Sequence, residues 1–522
     1  MKPLEQARHC GELFGLLASA WPDKRALDTL EGEPRTFAQL HERTNRLSNT
    51  LMSQGLTKGD RVAIVAFNCA EYIEVFGVAK TGAIIVPLNW RLAAQELVQL
   101  LQHSAPTVVV VDQAHRALLE SLKGQLPQVR QWVLIGEPTP GWLVFEDLVQ
   151  EGSNDDLSCS LQGRDPLCIV YTSGTTGAPK GVTLTHAGAL GNCRIAASEM
   201  LELTAQDRTM AVMPLFHVGG MWYHCFPSLA SGCSTLILSE FNPSVVLKEL
   251  AGRRITNVHL VPTMIAALLQ QPEAKDADLS SVRLMFYAAS SMPAELLRKA
   301  MSVFSHCGFA QAYGSTEGGV ITVLDRDTHE RARTECGEHL LLSCGRPMTG
   351  RELRIVDTAG QQVALGAIGE IEVRSPDLMQ GYWSDELASR RVLRSGWLVT
   401  GDLGYQDGEG FIYIADRKND MIVTGGENVF PSEVEGHFYA DPDIQEAAVF
   451  GVPDPKWVER VVAAVVLKPG HQASESDLIE RLKTRVAAYK CPKQVHFVTS
   501  LPKSAVGKVL RKQLRSEFSP AP

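Results

Sequence analysis

The sequence predicts an α/β protein: a large N-terminal domain of mixed, mostly parallel sheets flanked by helices, a β-rich subdomain, and a small α+β C-terminal lid domain. Three observations predict it. Short β-branched runs alternate with helical patterns as far as Tyr287, the rhythm of strands covered on both faces. After about Gly345, strand-like pieces crowd together between Gly, Pro and Asp turns. From about Asp420 a last unit mixes strands and helices. At roughly 150 residues per domain the chain has length for about three domain-sized units, divided here as 1–418, with the β-rich subdomain at about 345–418, and 419–522.

The elements follow in order. Residues 11–20 read as a short amphipathic helix rather than a signal peptide, because no basic segment and long apolar run precede them. Thr36 is placed to N-cap a helix carrying Phe37, Leu40, Leu47 and Leu51 on one side. Gly59-Asp60 turns the chain into a strand at 61–67, followed by a strand at 83–88, a helix at 92–103 and a strand at 107–112. The rhythm returns with strands at 235–238, 257–261 and 282–287. In the β-rich stretch strands are expected at 352–356, 369–374 and 410–415. The last unit should hold a helix after Pro431-Ser432, strands at 447–450 and 461–467, and a helix from about 476 to 489 with Ser474 ahead of it as N-cap.

Composition narrows the function. Fifty basic against 59 acidic residues give a net charge of −9, without the basic footprint of a general nucleic-acid binder. The apolar runs are far too short to span a bilayer. Eleven cysteines without a CxxC pair argue against a zinc ribbon and fit reduced thiols in a cytoplasm.

The strongest local signal is Tyr171-Thr-Ser-Gly-Thr-Thr-Gly-Ala-Pro-Lys-Gly181. A buried strand at 167–171 runs into a loop in which Thr172, Ser173, Gly174, Thr175, Thr176 and Gly177 offer hydroxyls and backbone N–H groups, and Lys180 adds positive charge. Such a loop cradles phosphates. It is not a Walker A loop, because Gly174 and Gly177 stand too close together and Lys180 precedes Gly181.

Five further strings follow: Gln311-Ala-Tyr-Gly-Ser-Thr-Glu317, Gly401-Asp-Leu-Gly404, Asp416-Arg-Lys-Asn-Asp420, Gly425-Gly-Glu-Asn428 and Pro502-Lys-Ser-Ala-Val-Gly-Lys508. With the glycine-threonine loop they resemble, in order and over nearly the whole chain, the motifs of the adenylate-forming superfamily, most closely its fatty-acid-type acyl-CoA synthetases. The resemblance implies ATP and coenzyme A as substrates, Mg²⁺ as cofactor, and a carboxylic acid activated as acyl-AMP. On that basis the loop from Thr172 to Lys180 holds phosphates. Gln311, Ala312, Tyr313 and Gly314 hold the nucleotide, Thr316 a phosphate oxygen, and Glu317, with Thr172, the Mg²⁺. Asp402 accepts from the ribose hydroxyls and Arg417 contacts the ribose. Lys508 is implied as the catalytic lysine, bringing the carboxylate and the α-phosphate together. Asn419 is the hinge, Gly425 and Gly426 the face along which coenzyme A reaches in, and His217 the aromatic position near the acyl carboxylate.

Two departures stand out. The adenine-pocket segment, often Gly-Gly-Ala-Pro in relatives, is Ala288-Ala-Ser-Ser291, and the hinge position, commonly Asp or Lys, is Asn419. The acid is weakly marked. Met221, Trp222, Met264 and Val320 suit an apolar tunnel; a medium- or long-chain fatty acid comes first and an aryl or arylpropenoic acid second. A carrier protein is the alternative acceptor, and a homo-oligomer is compatible with the sequence.

Overall fold

The computed structural model describes residues 3–157, 159–172, 179–289, 292–504 and 507–519. Its first long helix begins where the local pattern places it. In the helix Phe37–Ser53 the Thr36 hydroxyl accepts from the Gln39 N–H at 3.2 Å, and the Gln39 side chain accepts from the Thr36 N–H at 2.8 Å. This reciprocal cap satisfies two otherwise orphaned donors. The helix then buries Phe37, Leu40, Leu47 and Leu51.

Two large sheets form the body. In one, Ile84–Pro87, Arg61–Val65, Val108–Asp112 and Gln131–Ile135 run parallel, and Pro166–Thr172 joins Ile84–Pro87 in the same sense. Lys180–Thr185 returns antiparallel to Pro166–Thr172, and Gly381–Tyr382 pairs with Lys180–Thr185 at the edge. In the other, Arg25–Thr29, Ser234–Ile237, Arg208–Ala211, Asn257–Leu260, Leu284–Tyr287 and Gly308–Ser315 are parallel, and Gly319–Leu324 turns back antiparallel. Val62, Ile64 and Ile85 from the first sheet share one core with Ala211, Ile237 and Phe286 from the second; Leu190, Met221, Trp222 and Phe226 fill the space between. The inner faces of the sheets thus meet across a helical layer, while Met210, Val258, Leu260 and Met285 face a second core outside.

The β-rich part is an antiparallel sheet of Glu352–Val356, Gly369–Arg374, Trp397–Gln406, Leu393–Arg394 and Ile412–Arg417. The chain turns over 418–420 and starts another sheet, containing Ile422–Thr424, Glu427–Val429, Ile444–Asp454, Val458–Leu467 and Gln494–Phe497. Two expectations are corrected here. The strand expected at 410–415 runs Ile412–Arg417, because its register is set by Asp402 opposite Arg417. The helix expected to reach residue 489 is Glu475–Lys483. The Thr484 hydroxyl donates back to the Arg481 carbonyl at 2.8 Å, a local bond that competes with helical continuation. Its start is as expected, with Ser474 accepting from the Asp477 N–H at 3.1 Å.

Ten of the eleven cysteines, from Cys10 to Cys491, are described as free thiols. No helix among the described residues is long and apolar enough to cross a membrane.

One buried ion pair ties the body to the β-rich sheet. Arg351 donates to Asp377 at 2.6 Å and to the Val320 carbonyl at 3.0 Å, and both side chains are almost fully buried. The segment after Asp377 then holds the Glu317 carbonyl through the Met379 N–H at 2.8 Å. Removing one partner of a buried pair strands the other charge. Asp377→Ala should therefore destabilise the body by about 3–5 kcal/mol in denaturant unfolding, and Asp377→Asn, which keeps an acceptor, by less. Equal losses in both variants would show that the stranded Arg351 charge alone, and not the lost acceptor, sets the cost.

Candidate active site

Thr172 and Lys180 face each other as cross-strand partners at the ends of Pro166–Thr172 and Lys180–Thr185. They bracket the glycine-threonine loop; Ser173, Gly174, Thr175, Thr176 and Gly177 lie outside the described residues. The Lys180 ammonium sits 4.8 Å from the ring centre of Tyr382. The Tyr382 hydroxyl donates to Glu317 Oε1 at 3.0 Å. One aromatic ring therefore couples the loop lysine to the carboxylate, fixing one Glu317 oxygen and leaving the other to act. Tyr382 was not singled out from the sequence. Its only signal is the Gly-Tyr-Trp string at 381–383, which reads as ordinary strand until Glu317 is seen beside it.

Gln311 to Ser315 line one end of the parallel sheet, where ligands collect in α/β folds. Gly314 is required sterically: a Cβ there would lie 2.3 Å from the Gly319 carbonyl oxygen and 3.0 Å from the Tyr223 hydroxyl. Tyr223, also unremarked in the sequence, donates to the Ser315 carbonyl at 2.8 Å and holds this close approach. Ala312 and Thr316 are buried. Gln311 Oε1 is a buried acceptor with no partner among the described residues. In the neighbouring departure from the motif, Ala289 takes φ +75°, a left-handed conformation that favours glycine; Ser290 and Ser291 lie outside the described residues.

From its neighbours Thr400 and Gly401, Asp402 reads as a residue after a turn. It lies instead inside the strand Trp397–Gln406, directly opposite Arg417. It accepts from the Tyr313 hydroxyl at 2.6 Å and pairs with Arg417 Nε at 3.0 Å. Asp402 raises the Arg417 pKa above its ordinary value. Burial first, and then the Asp402 charge, hold the Tyr313 phenol well above its usual value. Two sheets thus meet at one carboxylate, Tyr313 coming from the large sheet and Asp402 and Arg417 from the β-rich one.

Lys508 reaches this cluster from the C-terminal unit. It follows a tight loop in which the Ser504 N–H donates to the Lys508 carbonyl at 2.7 Å, the Gly507 N–H to the Ser504 carbonyl at 2.9 Å, and the Lys508 N–H to the Ser504 hydroxyl at 3.2 Å. Gly507 packs on the body, since a Cβ there would lie 3.4 Å from the Thr263 hydroxyl. Lys508 keeps exposed surface, yet protein crowds around its ammonium. That crowding and the Arg417 cation lower its pKa to about 8, against the pull of Asp402, Glu317 and Asp420. Burial and the Lys508 charge lower His217 to about 4. His217 is therefore neutral, and its Nδ1 accepts from the Gly219 N–H at 3.1 Å, so its proton sits on Nε2.

Asn419 lies in the turn between the third and fourth sheets with an ordinary negative φ. Arg515 donates to its carbonyl at 3.2 Å. Gly425 and Gly426 turn Ile422–Thr424 into Glu427–Val429, with φ of +61° and +89°. The Gly425 N–H donates to the Trp457 carbonyl at 2.8 Å, which places these glycines on the C-terminal sheet away from the Asp402 cluster.

Comparison with known proteins agrees with this geometry. Residues 17–383 match the family described as AMP-binding enzyme, and 433–508 match the AMP-binding enzyme C-terminal domain. The chain is 36% identical to an indoleacetate–CoA ligase of Aromatoleum aromaticum, over 97% of this chain and 96% of the relative. It is 35% identical to a feruloyl-CoA synthase of an Amycolatopsis species, over 96% and 98% respectively. The crystal structure of the anthranilate CoA ligase AuaEII in complex with anthranoyl-AMP superposes with a TM-score of 0.89 at 30% identity, covering 99% of each chain. A phosphate-type loop, a Tyr–Asp–Arg junction, and a lysine delivered from the C-terminal unit accompany these matches, and the chain belongs to the AMP-binding enzyme family as an AMP-forming acid–thiol ligase that works through an acyl-adenylate.

Proposed function

We propose that residues 1–418 form the nucleotide- and acyl-binding body, with the β-rich subdomain at 345–418, and that 419–522 form a lid whose Lys508 drives the first of two half-reactions. The observation that carries this is the placement of Lys508 among Arg417, Asp402 and Glu317. In the first half-reaction a carboxylate oxygen of the acid attacks the α-phosphorus of ATP and pyrophosphate leaves. The Lys508 ammonium offsets the repulsion between the two anions and the charge that builds on the phosphoryl oxygens. Asp402 holds the ribose hydroxyls with lone pairs that Tyr313 and Arg417 leave free. The bare Gln311 oxygen suits the adenine amino group. The loop from Thr172 to Lys180 holds the triphosphate.

The donor set also fits Mg²⁺. Glu317 offers a hard carboxylate oxygen, and Thr172 stands at the mouth of the loop. No three potential metal ligands converge among the described residues. Glu317 and Thr172 would hold a magnesium ion whose remaining ligands would be phosphate and water oxygens, as is usual for this cation, and it would supply neutralisation of the triphosphate charge. In the second half-reaction the lid turns about Asn419, withdraws Lys508 and presents Gly425 and Gly426 to the pantetheine thiol of coenzyme A.

For the acid, the reading shifts from a fatty acid toward an aryl acid. Two further imidazoles, His224 and His259, lie buried near His217, and an imidazole suits a tail with polar character better than an alkyl chain. Relatives named for indoleacetate and feruloyl groups agree with that choice.

Three outcomes are expected. Acid labelled with heavy oxygen in its carboxyl should leave one labelled atom in AMP; unlabelled AMP with every acid that turns over would overturn the adenylate route. Lys508→Ala should slow adenylate formation about 100-fold or more while sparing thioester formation from supplied acyl-AMP; equal loss in both half-reactions would remove Lys508 from its role. The free enzyme holds Lys508 protonated below about pH 8 and neutral above it, so kcat/KM for adenylation should be level below that pH and fall above it. In Lys508→Ala that basic limb should vanish.

A further inference from the structure

His259 is unused by the chemistry above, and its surroundings are unusual. It lies on Asn257–Leu260, a strand whose Val258 and Leu260 face the outer core while Asn257 and His259 face the helical layer. Its Nδ1 stands 3.1 Å from the Gly219 carbonyl oxygen. A carbonyl only accepts, so Nδ1 carries the proton. Burial, with His224 and His217 nearby, pushes the ring pKa far below its ordinary value, so the ring is neutral and Nε2 bears a bare lone pair. That atom is buried with no partner among the described residues, and the residue is 1% exposed.

The neighbours are already committed. His224 Nε2 lies 3.0 Å from Asn257 Oδ1, which can only accept, so the imidazole donates there. The Asn257 amide donates to the Leu201 carbonyl at 3.1 Å. The Phe286 ring lies 4.5 Å from that of His259, centre to centre, and offers a flat apolar surface. Gly219 packs between the two histidines: a Cβ there would lie 3.3 Å from His217 Nδ1 and 3.5 Å from His259 Cε1. His217, felt by the Lys508 charge, and His259 are therefore neighbours across Gly219. Immediately after Gly220 the helix widens into a π-turn at Met221–Cys225, a deviation common at functional sites.

We propose that His259 Nε2 is a specificity-determining acceptor at the inner end of the acyl site, reading a hydrogen-bond donor, a phenolic O–H or an indole-type N–H, on the ring of an aryl carboxylic acid. The inference rests on the acid-adenylating function and refines its substrate. An acid without a donor leaves the lone pair unpaired, whereas a donor at that depth satisfies it, a difference of about tenfold for one neutral hydrogen bond.

The test uses full-length enzyme and acid-dependent pyrophosphate release. Two matched pairs serve: 4-hydroxycinnamate against 4-methylcinnamate, and indole-3-acetate against benzothiophene-3-acetate, with straight-chain fatty acids beside them. Wild-type kcat/KM should favour the donor acid about tenfold in at least one pair. His259→Leu should abolish that preference by lowering the donor acid alone, and His259→Gln, which keeps an acceptor, should restore part of it. Equal use of both members of each pair overturns the proposal, as does equal loss for both acids in His259→Leu, the result expected if the lone pair holds only a structural water. Turnover of fatty acids alone overturns it while leaving acid adenylation intact. Silence toward every acid takes both down.

Discussion

The site depends on one carboxylate held from two sides. Asp402 receives the Tyr313 hydroxyl from the large parallel sheet and the Arg417 guanidinium from the last strand of the β-rich sheet. Without that junction the nucleotide-facing end of Gln311 to Ser315 has no fixed relation to the turn at 418–420 where the C-terminal unit begins. The geometry is set by backbone pairing, since Asp402 and Arg417 are direct partners in an antiparallel ladder. The charge pair rides on that register. Because the guanidinium retains exposed surface, screening by solvent keeps the pair's own contribution to stability modest. Its value is positional.

Lys508 shows the complementary economy. Its pKa is lowered by crowding and by Arg417, and supported by three carboxylates within range. An ammonium so placed is poorly solvated where it stands, so it gains more from a phosphate than an exposed lysine does. The same reasoning explains the neutral His217 beside it: one positive charge near the acyl carboxylate suffices, and burial removes the second.

Much of this was legible in the sequence because each motif combines a local conformation with a chemical group. The parallel strands declared themselves as short β-branched runs, and Thr36 and Ser474 as caps, since both signals act over a few residues. Asp402 was harder. A Thr-Gly-Asp string looks like a turn, and only the partner strand, about 15 residues on, reveals it as a ladder position. Tyr382, Tyr223 and His259 were invisible for the same reason: nothing in their immediate neighbours announces Glu317, Ser315 or Gly219 as partners far away in the chain. The helix expected to run to residue 489 had adequate composition, but Thr484 ends it by a side-chain bond that composition does not reveal.

The turn at the junction has a mechanical consequence. Arg511 and Arg515, both on the terminal helix Arg511–Phe518, grip Asp420, and Arg515 also grips the Asn419 carbonyl. Lys418 is fastened the other way, its ammonium to Glu370 at 2.9 Å and its N–H to the Gly401 carbonyl at 2.9 Å. Side chains therefore tie residues 419 and 420 to the C-terminal unit and 418 to the body, while the Asp420 N–H still reaches back to the Arg417 carbonyl at 2.9 Å. In the proposed lid swing, torsion centres on the linkage between Lys418 and Asn419, and the bonds from the Asp420 and Met421 N–H groups to the Arg417 carbonyl are the ones that must break, so the lid pivots like a key held by one latch.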